Sequence, residues 1–247
     1  MKRFIYLLMF LLILFPVYHI NAKEIETTLI AEYTEDVTGD GETETIELFG
    51  VPFSDDTEYF RDIYVTITSN TDEWRIDYQG GFDPTLEFID LNHDGVVDLF
   101  YQSATGGSGG LYTSQLDTLA NEELLNIPLP KQDYVKGYFE EGFNVVIEII
   151  PNKKPIIMNV EARKADYIRL GIYDEKGTLL KQTQLMVDPI AFFEPILVSE
   201  SKGYGLKSYK QISGAYHADQ LGVLETLWYY ENDRWIILQT DWKETKG

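Results

Sequence analysis

Cysteine is absent from this chain. No disulfide can staple the fold and no thiol chemistry is available to it. A lipid-anchored lipoprotein is excluded as well. Histidine is scarce, with three in all, so imidazole-based catalysis or metal binding has few positions to use. Positive charge is sparse: 20 Lys and Arg stand against 41 Asp and Glu, for a net charge of −21. That balance argues against nucleic acid and anionic membrane surfaces as partners. It suits cations, basic partners or solubility outside the cell. No apolar run is long enough for an ordinary membrane span. Helical periodicity is rare; Leu116 to Leu125 is the best candidate, with Asp117, Glu122 and Glu123 on its polar side.

What the chain does have begins at its start. Met1-Lys2-Arg3 precedes an apolar stretch from Phe4 to Phe15, Pro16 interrupts it, and Ile20-Asn21-Ala22 leads to Lys23. A basic start, a short apolar core and a small residue at the junction predict a signal peptide over residues 1–22. Ile20 occupies a place where a small residue is usual, which leaves an uncleaved membrane anchor as the alternative. The expected location is secreted or cell-surface. The remaining length, roughly 225 residues, suits one large all-β domain or two small ones.

The mature region reads mainly as strands. Thr43 to Leu48 alternates polar and apolar residues, and Ile63 to Thr68 is β-branched and aromatic. A turn at Ser69 to Asp72 leads into Trp74 to Tyr78. Leu86 to Ile89, Val96 to Tyr101 and Phe143 to Ile150 continue the pattern. Tyr167 to Tyr173 and Thr178 to Leu185 predict one hairpin. Leu224 to Tyr230 and Trp235 to Thr240 predict another, turning at Asn232-Asp233. Prolines punctuate the second half at Pro151 to Pro155 and at Pro189 to Pro195. The expected division is a β region with two acidic loops at 23–130 and a second β region at 131–247, either continuous with the first or separate.

The two acidic loops carry the chemistry. They are Asp36-Val-Thr-Gly-Asp-Gly-Glu-Thr-Glu44 and Asp90-Leu-Asn-His-Asp-Gly-Val-Val-Asp98. Each has oxygen-bearing side chains at loop positions 1, 3, 5 and 9 and Gly at position 6, the spacing of a calcium loop. Gly permits the sharp bend, and close carboxylates repel unless a hard cation sits among them. An EF-hand needs flanking helices and a bidentate Glu at position 12. That position holds Glu47 in one loop and Tyr101 in the other, and both loops run into β-rich sequence, so the helical sensor class is rejected. Their similarity and similar flanks hint at a duplicated unit.

With strands on both sides, Asp90 to Leu99 resembles the D-x-[DN]-x-D-G-x-x-D loop of FG-GAP/VCBS-type repeats, found in integrin-like β-propellers. The first loop departs from that pattern at Thr38 and Glu44. The chain also resembles secreted proteins of this type from Gram-positive bacteria. The resemblance covers the loops and their strands. It implies a mainly β, antiparallel fold, propeller-like, partial-propeller or sandwich. It further implies Ca2+ as the cofactor. The implied side-chain ligands are Asp36, Thr38, Asp40 and Glu44, then Asp90, Asn92, Asp94 and Asp98. Glu42 and Val96 would contribute backbone carbonyls. The implied role is a non-catalytic binding or scaffold module, with an envelope polysaccharide or protein as partner.

Other patterns are weaker. Gly106-Gly-Ser-Gly-Gly110 formally satisfies G-x-S-x-G, with Ser108 as nucleophile, His217 as base and Asp219 as a too-near orienter. This supports the alternative function, a secreted hydrolase of carbohydrate or cell-wall material. The strand–helix alternation of that fold is missing. Acidic pairs such as Asp55-Asp56 and Glu140-Glu141 are expected by chance in so acidic a chain. Tyr216, Trp228, Tyr229, Tyr230 and Trp235 read more readily as core than as a sugar platform.

Overall fold

The computed structural model describes residues 26–150 and 153–245. The predicted signal peptide at 1–22 lies outside the described residues. What is described is mainly β, and every strand pairing is antiparallel. The first sheet is a seven-stranded meander in sequence order: β1 (Thr28–Glu35), β2 (Glu44–Pro52), β3 (Phe60–Thr68), β4 (Glu73–Ile89), β5 (Asp98–Ala104), β6 (Tyr112–Thr118) and β7 (Leu125–Asn126). A three-stranded sheet follows from β8 (Lys136–Glu140), β9 (Asn144–Glu148) and β10 (Ile156–Asn159). The helix α1 (Lys164–Arg169) comes next. Four more strands make the last sheet: β11 (Met186–Ser199), β12 (Gly203–Ser213), β13 (Gln220–Tyr230) and β14 (Trp235–Glu244). Each sheet runs from one open edge to another, and no closed barrel or propeller is shown among the described residues.

Strand β4 organises the first sheet. Its first half, up to Gly81, pairs with β3, and from Phe82 onward it pairs with β5. The change of partner comes at Gly80 and Gly81, where a side chain would strike the backbone of Phe60 and Arg61 or the Ser103 hydroxyl. Asp83 follows at φ 45° and the register shifts between Phe82 and Thr85. Such a bend lets one strand serve two sheet layers. The two layers then face each other, and the Tyr78 and Tyr101 rings stack between them at 3.9 Å. Ile46, Leu48, Val65, Ile67, Leu86 and Leu99 complete that core.

Strand β5 is covered on both faces. Its Phe100 packs with Leu91 and Leu116 against Phe193, Leu206 and Trp228 of the last sheet. Between them Gln102 accepts from the Phe193 N–H and donates Nε2–H to the Phe193 carbonyl, each at 3.0 Å. A third cluster joins Phe139, Val145 and Ile147 to Tyr167, Tyr173, Ile212 and Leu224.

Three expectations need correction. Leu116 to Leu125 is not a helix: it is the end of β6, a 3₁₀ turn at Ala120–Glu122 and β7. Leu116 is held in the inter-sheet core, and Asn121 and Glu122 adopt φ of 57° and 63°, which a helix cannot accommodate. The hairpin expected at 167–185 is also missing. Tyr167 lies in α1, and only a single bridge joins Tyr173 to Leu179. Tyr167 is buried against Phe139, and tertiary packing overrides its strand propensity. Finally, the proline-marked stretch from Pro189 to Pro195 belongs to a 14-residue strand, β11. It is the edge of its sheet and Pro189 sits at a register shift, the places where proline is tolerated. The last hairpin is present as expected, with Asn232 and Asp233 both left-handed.

Candidate functional site

The two acidic loops connect equivalent strands, β1 to β2 and the second half of β4 to β5. Each is followed by two more strands of the meander. Four backbone-to-carboxylate contacts recur in both. The carboxylate at position 1 accepts two backbone N–H groups. Asp36 accepts from Gly39 (2.7 Å) and Gly41 (2.9 Å), and Asp90 from His93 (2.7 Å) and Gly95 (3.1 Å). The position-5 carboxylate accepts from position 7: Asp40 from Glu42 at 2.8 Å, and Asp94 from Val96 at 2.9 Å. The position-9 carboxylate reaches back to position 2: Glu44 accepts from Val37 at 3.0 Å, and Asp98 from Leu91 at 2.8 Å. Positions 4 and 6 are left-handed in both, at Gly39, Gly41, His93 and Gly95. Val37 and Leu91 are fully buried and anchor each loop in a core.

The loops differ at position 3. Asn92 Oδ1 accepts from the Asp94 N–H at 2.8 Å, while its Nδ2 donates to Asp94 (2.9 Å) and Asp98 (3.0 Å). Thr38 is buried and its Oγ1 has no hydrogen-bond partner. Burial pushes the Asp98 carboxyl up to about 7, against the lowering effect of the Leu91 and Asn92 N–H donors. The loops touch: the Val96 side chain packs on the α-carbon of Gly39. His93 stacks on Tyr229 at 4.4 Å and ties the second loop to β13.

The donor set suits a hard cation, being all oxygen apart from the Asn92 amide nitrogen. Among the described residues, however, no group of three or more His, Asp or Glu is gathered so as to hold a metal ion. The carboxylates are turned onto their own loop backbones, and Asn92 presents its NH2 rather than its oxygen to Asp94 and Asp98.

The other sequence candidates scatter. Asp219 does not orient His217. It is buried and binds Arg163 (2.5 Å) and the Tyr167 hydroxyl (2.8 Å), tying the 214–219 turn to α1. His217 Nδ1 pairs instead with Asp188 Oδ2 at 3.1 Å. Its Nε2 faces the glycine loop, 3.4 Å from where a Cβ on Gly109 would stand. Ser108 is exposed on that loop and no hydrogen bond joins it to His217. Asp188 was missed because it lies far from His217 in the chain and no local pattern marks it. Glu141 accepts the Leu179 N–H at 2.9 Å, a structural contact. Trp228 and Tyr229 are buried, and Trp228 Nε1–H donates to Ser208 inside the core, while Tyr216 is exposed.

Comparison with known proteins adds a relationship. Residues 133–243 match the family model described as the YybI C-terminal domain. That stretch holds the three-stranded sheet, α1 and nearly all of the four-stranded sheet. Over 223 residues the chain is 27% identical to the uncharacterized protein YybI of Bacillus subtilis (strain 168), covering 85% of this chain and 82% of that one. The similarity therefore runs beyond the C-terminal domain into the loop-bearing sheet. No solved structure matches.

Proposed function

We propose that the protein is a secreted or cell-surface, non-catalytic binding or scaffold module whose two loops take up calcium. The observation that carries this reading is the recurrence of four backbone-to-carboxylate contacts in the loops at 36–44 and 90–98, each set between equivalent strands. Two four-strand units sharing β4 also favour the FG-GAP/VCBS-type reading over a chance turn. Asp36, Thr38, Asp40 and Glu44 would hold one ion, and Asp90, Asn92, Asp94 and Asp98 the other. The carbonyls of Glu42 and Val96 would complete the sets. The ion would neutralise clustered charge, supply the unpartnered Thr38 hydroxyl with a partner, and link strands in a chain without disulfides.

Thermal melts and calorimetric titration with calcium against chelator test this. Free calcium at about 100 times Kd stabilises by about 2.7 kcal/mol, a rise of roughly 5–10 °C for a chain of this size. Asp94→Ala should remove most of the second loop's share. An unchanged melting temperature at millimolar calcium would sink the calcium reading.

One observation favours a second reading, a secreted hydrolase: the Asp188–His217 pair is turned toward the loop that bears Ser108. A fluorophosphonate probe should then label the chain, and Ser108→Ala should abolish labelling. A chain that stays unlabelled at neutral pH removes this reading.

A further inference from the structure

Three segments distant in sequence line an open cleft of about 400 Å³ beside the second acidic loop. They are that loop, the 118–128 stretch around β7, and the turn between β13 and β14. The volume falls at the small end of ligand sites, which span about 300–1,000 Å³. Its polar lining has one character. Asp94, Glu123 and Asp233 bring carboxylates, Asn92, Asn121 and Asn126 bring amides, Thr118 adds a hydroxyl, and no Lys, Arg or His lines it. The side chains of Asn121, Glu123 and Asp233 make no hydrogen bond within the described residues. Tyr230 supplies a ring, beside exposed Leu125 and Pro128.

The walls are held in place. Asn126 Nδ2 donates to the Leu116 carbonyl (3.0 Å) and to Asp117 (2.9 Å), which leaves its Oδ1 as an acceptor. The Asn121 N–H donates to the Thr38 carbonyl at 2.9 Å, and Trp235 Nε1–H to the Pro128 carbonyl at 2.9 Å. His93, Asn121, Asn232 and Asp233 are left-handed, so each of the three segments holds backbone strain near this rim.

We infer that this cavity is a saccharide site, for a glycan that carries no acid group. Carboxylates and amides are planar, two-pronged groups that match adjacent hydroxyls, and an excess of acceptors calls for a ligand rich in O–H or N–H donors. Tyr230, half-buried against Trp235 and the inter-sheet core, borders the cleft and adds an apolar contact for the C–H groups of a sugar. The local negative charge rejects uronic acids and phosphorylated glycans, and accepts neutral or amine-bearing ones. The inference rests on the binding-module reading and names its ligand class. It does not require calcium, because Asn121, Glu123 and Asp233 lie outside the proposed ligand sets. Asp94, whose oxygens accept from the Val96 N–H and the Asn92 amide, forms the wall of the cleft.

The test is an array of neutral, amine-bearing and acidic glycans probed with the labelled full-length mature chain, in calcium and again in chelator. The expected result is binding confined to neutral or amine-bearing glycans, weakened at least about tenfold by the surface double variant Asn121→Ala/Glu123→Ala. That variant must keep the wild-type melting temperature, so that lost binding is not lost fold. If it does not, Glu123→Gln alone is used, which keeps the size and removes the charge. An empty array, retention of acidic glycans alone, binding indifferent to the variants, or equal competition by spermidine would each overturn the site. A chain that binds glycans but gains no stability from calcium would overturn the metal reading and leave this one standing.

Discussion

Gly39 has φ +79°, and a Cβ there would fall 2.5 Å from Val96 Cγ2. Gly39→Ala should therefore cost about 1–3 kcal/mol, through backbone strain and the clash between the loops. Urea denaturation measures it directly. The equivalent position of the second loop holds His93 at φ 65°, where stacking on Tyr229 offsets the strain. Tyrosines give a second prediction at this scale. Burial pushes Tyr101 and Tyr173 up to about 12. In the unfolded chain they ionise near 10, so the folded state keeps protons that the unfolded state loses. Their contribution is intact below pH ~10 and is lost as pH rises toward ~12. Ultraviolet titration should show these tyrosinates appearing late. Ionisation near 10 in a chain that stays folded would contradict the burial.

Elements meet through a few polar clasps in otherwise apolar contacts. Gln102 on β5 satisfies both backbone groups of Phe193 on β11. Gln102→Ala would strand a buried N–H and C=O, at about 1–3 kcal/mol each where water cannot reach them. Arg163, just before α1, neutralises the buried Asp219. Arg163→Ala should leave that carboxylate without its cation, held only by the Tyr167 hydroxyl and the Ala215 N–H, and destabilise by about 2–4 kcal/mol. Chemical denaturation of each variant reads the cost. Loss below ~1 kcal/mol would mean that water replaces the partner. These clasps also explain why strand propensity misled at Tyr167. The residue is placed by Asp219 and Phe139, which no local window contains.

Across the whole molecule, one core joins the loop-bearing sheet to the last sheet. Phe193, Leu206 and Trp228 are covered by Leu91, Phe100 and Leu116. Scanning calorimetry of a chain spanning residues 23–247 should therefore show a single cooperative transition. A fragment of residues 131–247 should melt lower or aggregate, because that apolar face is laid bare. Two resolved transitions matching two separately stable fragments would show that the shared core contributes little. The family match beginning at residue 133 fits the gap between β7 and β8, yet the packing crosses that gap.

By itself, the sequence determined the antiparallel β character, the last hairpin and both acidic loops. Alternation, turn residues and the spacing of acidic residues are local signals, and adjacent strands of a meander pair with their sequence neighbours. Tertiary structure alone decided the rest. It turned β4 at Gly80-Gly81 into a strand shared by two layers and buried β5 on both faces. It also drew Leu116 into the core instead of a helix and paired His217 with Asp188. The cleft beside the second acidic loop is the clearest case, since Asp94, Asn121 and Asp233 come from three segments. What unites them is packing between sheets, and packing free energy depends on distances in space that no spacing in the chain records.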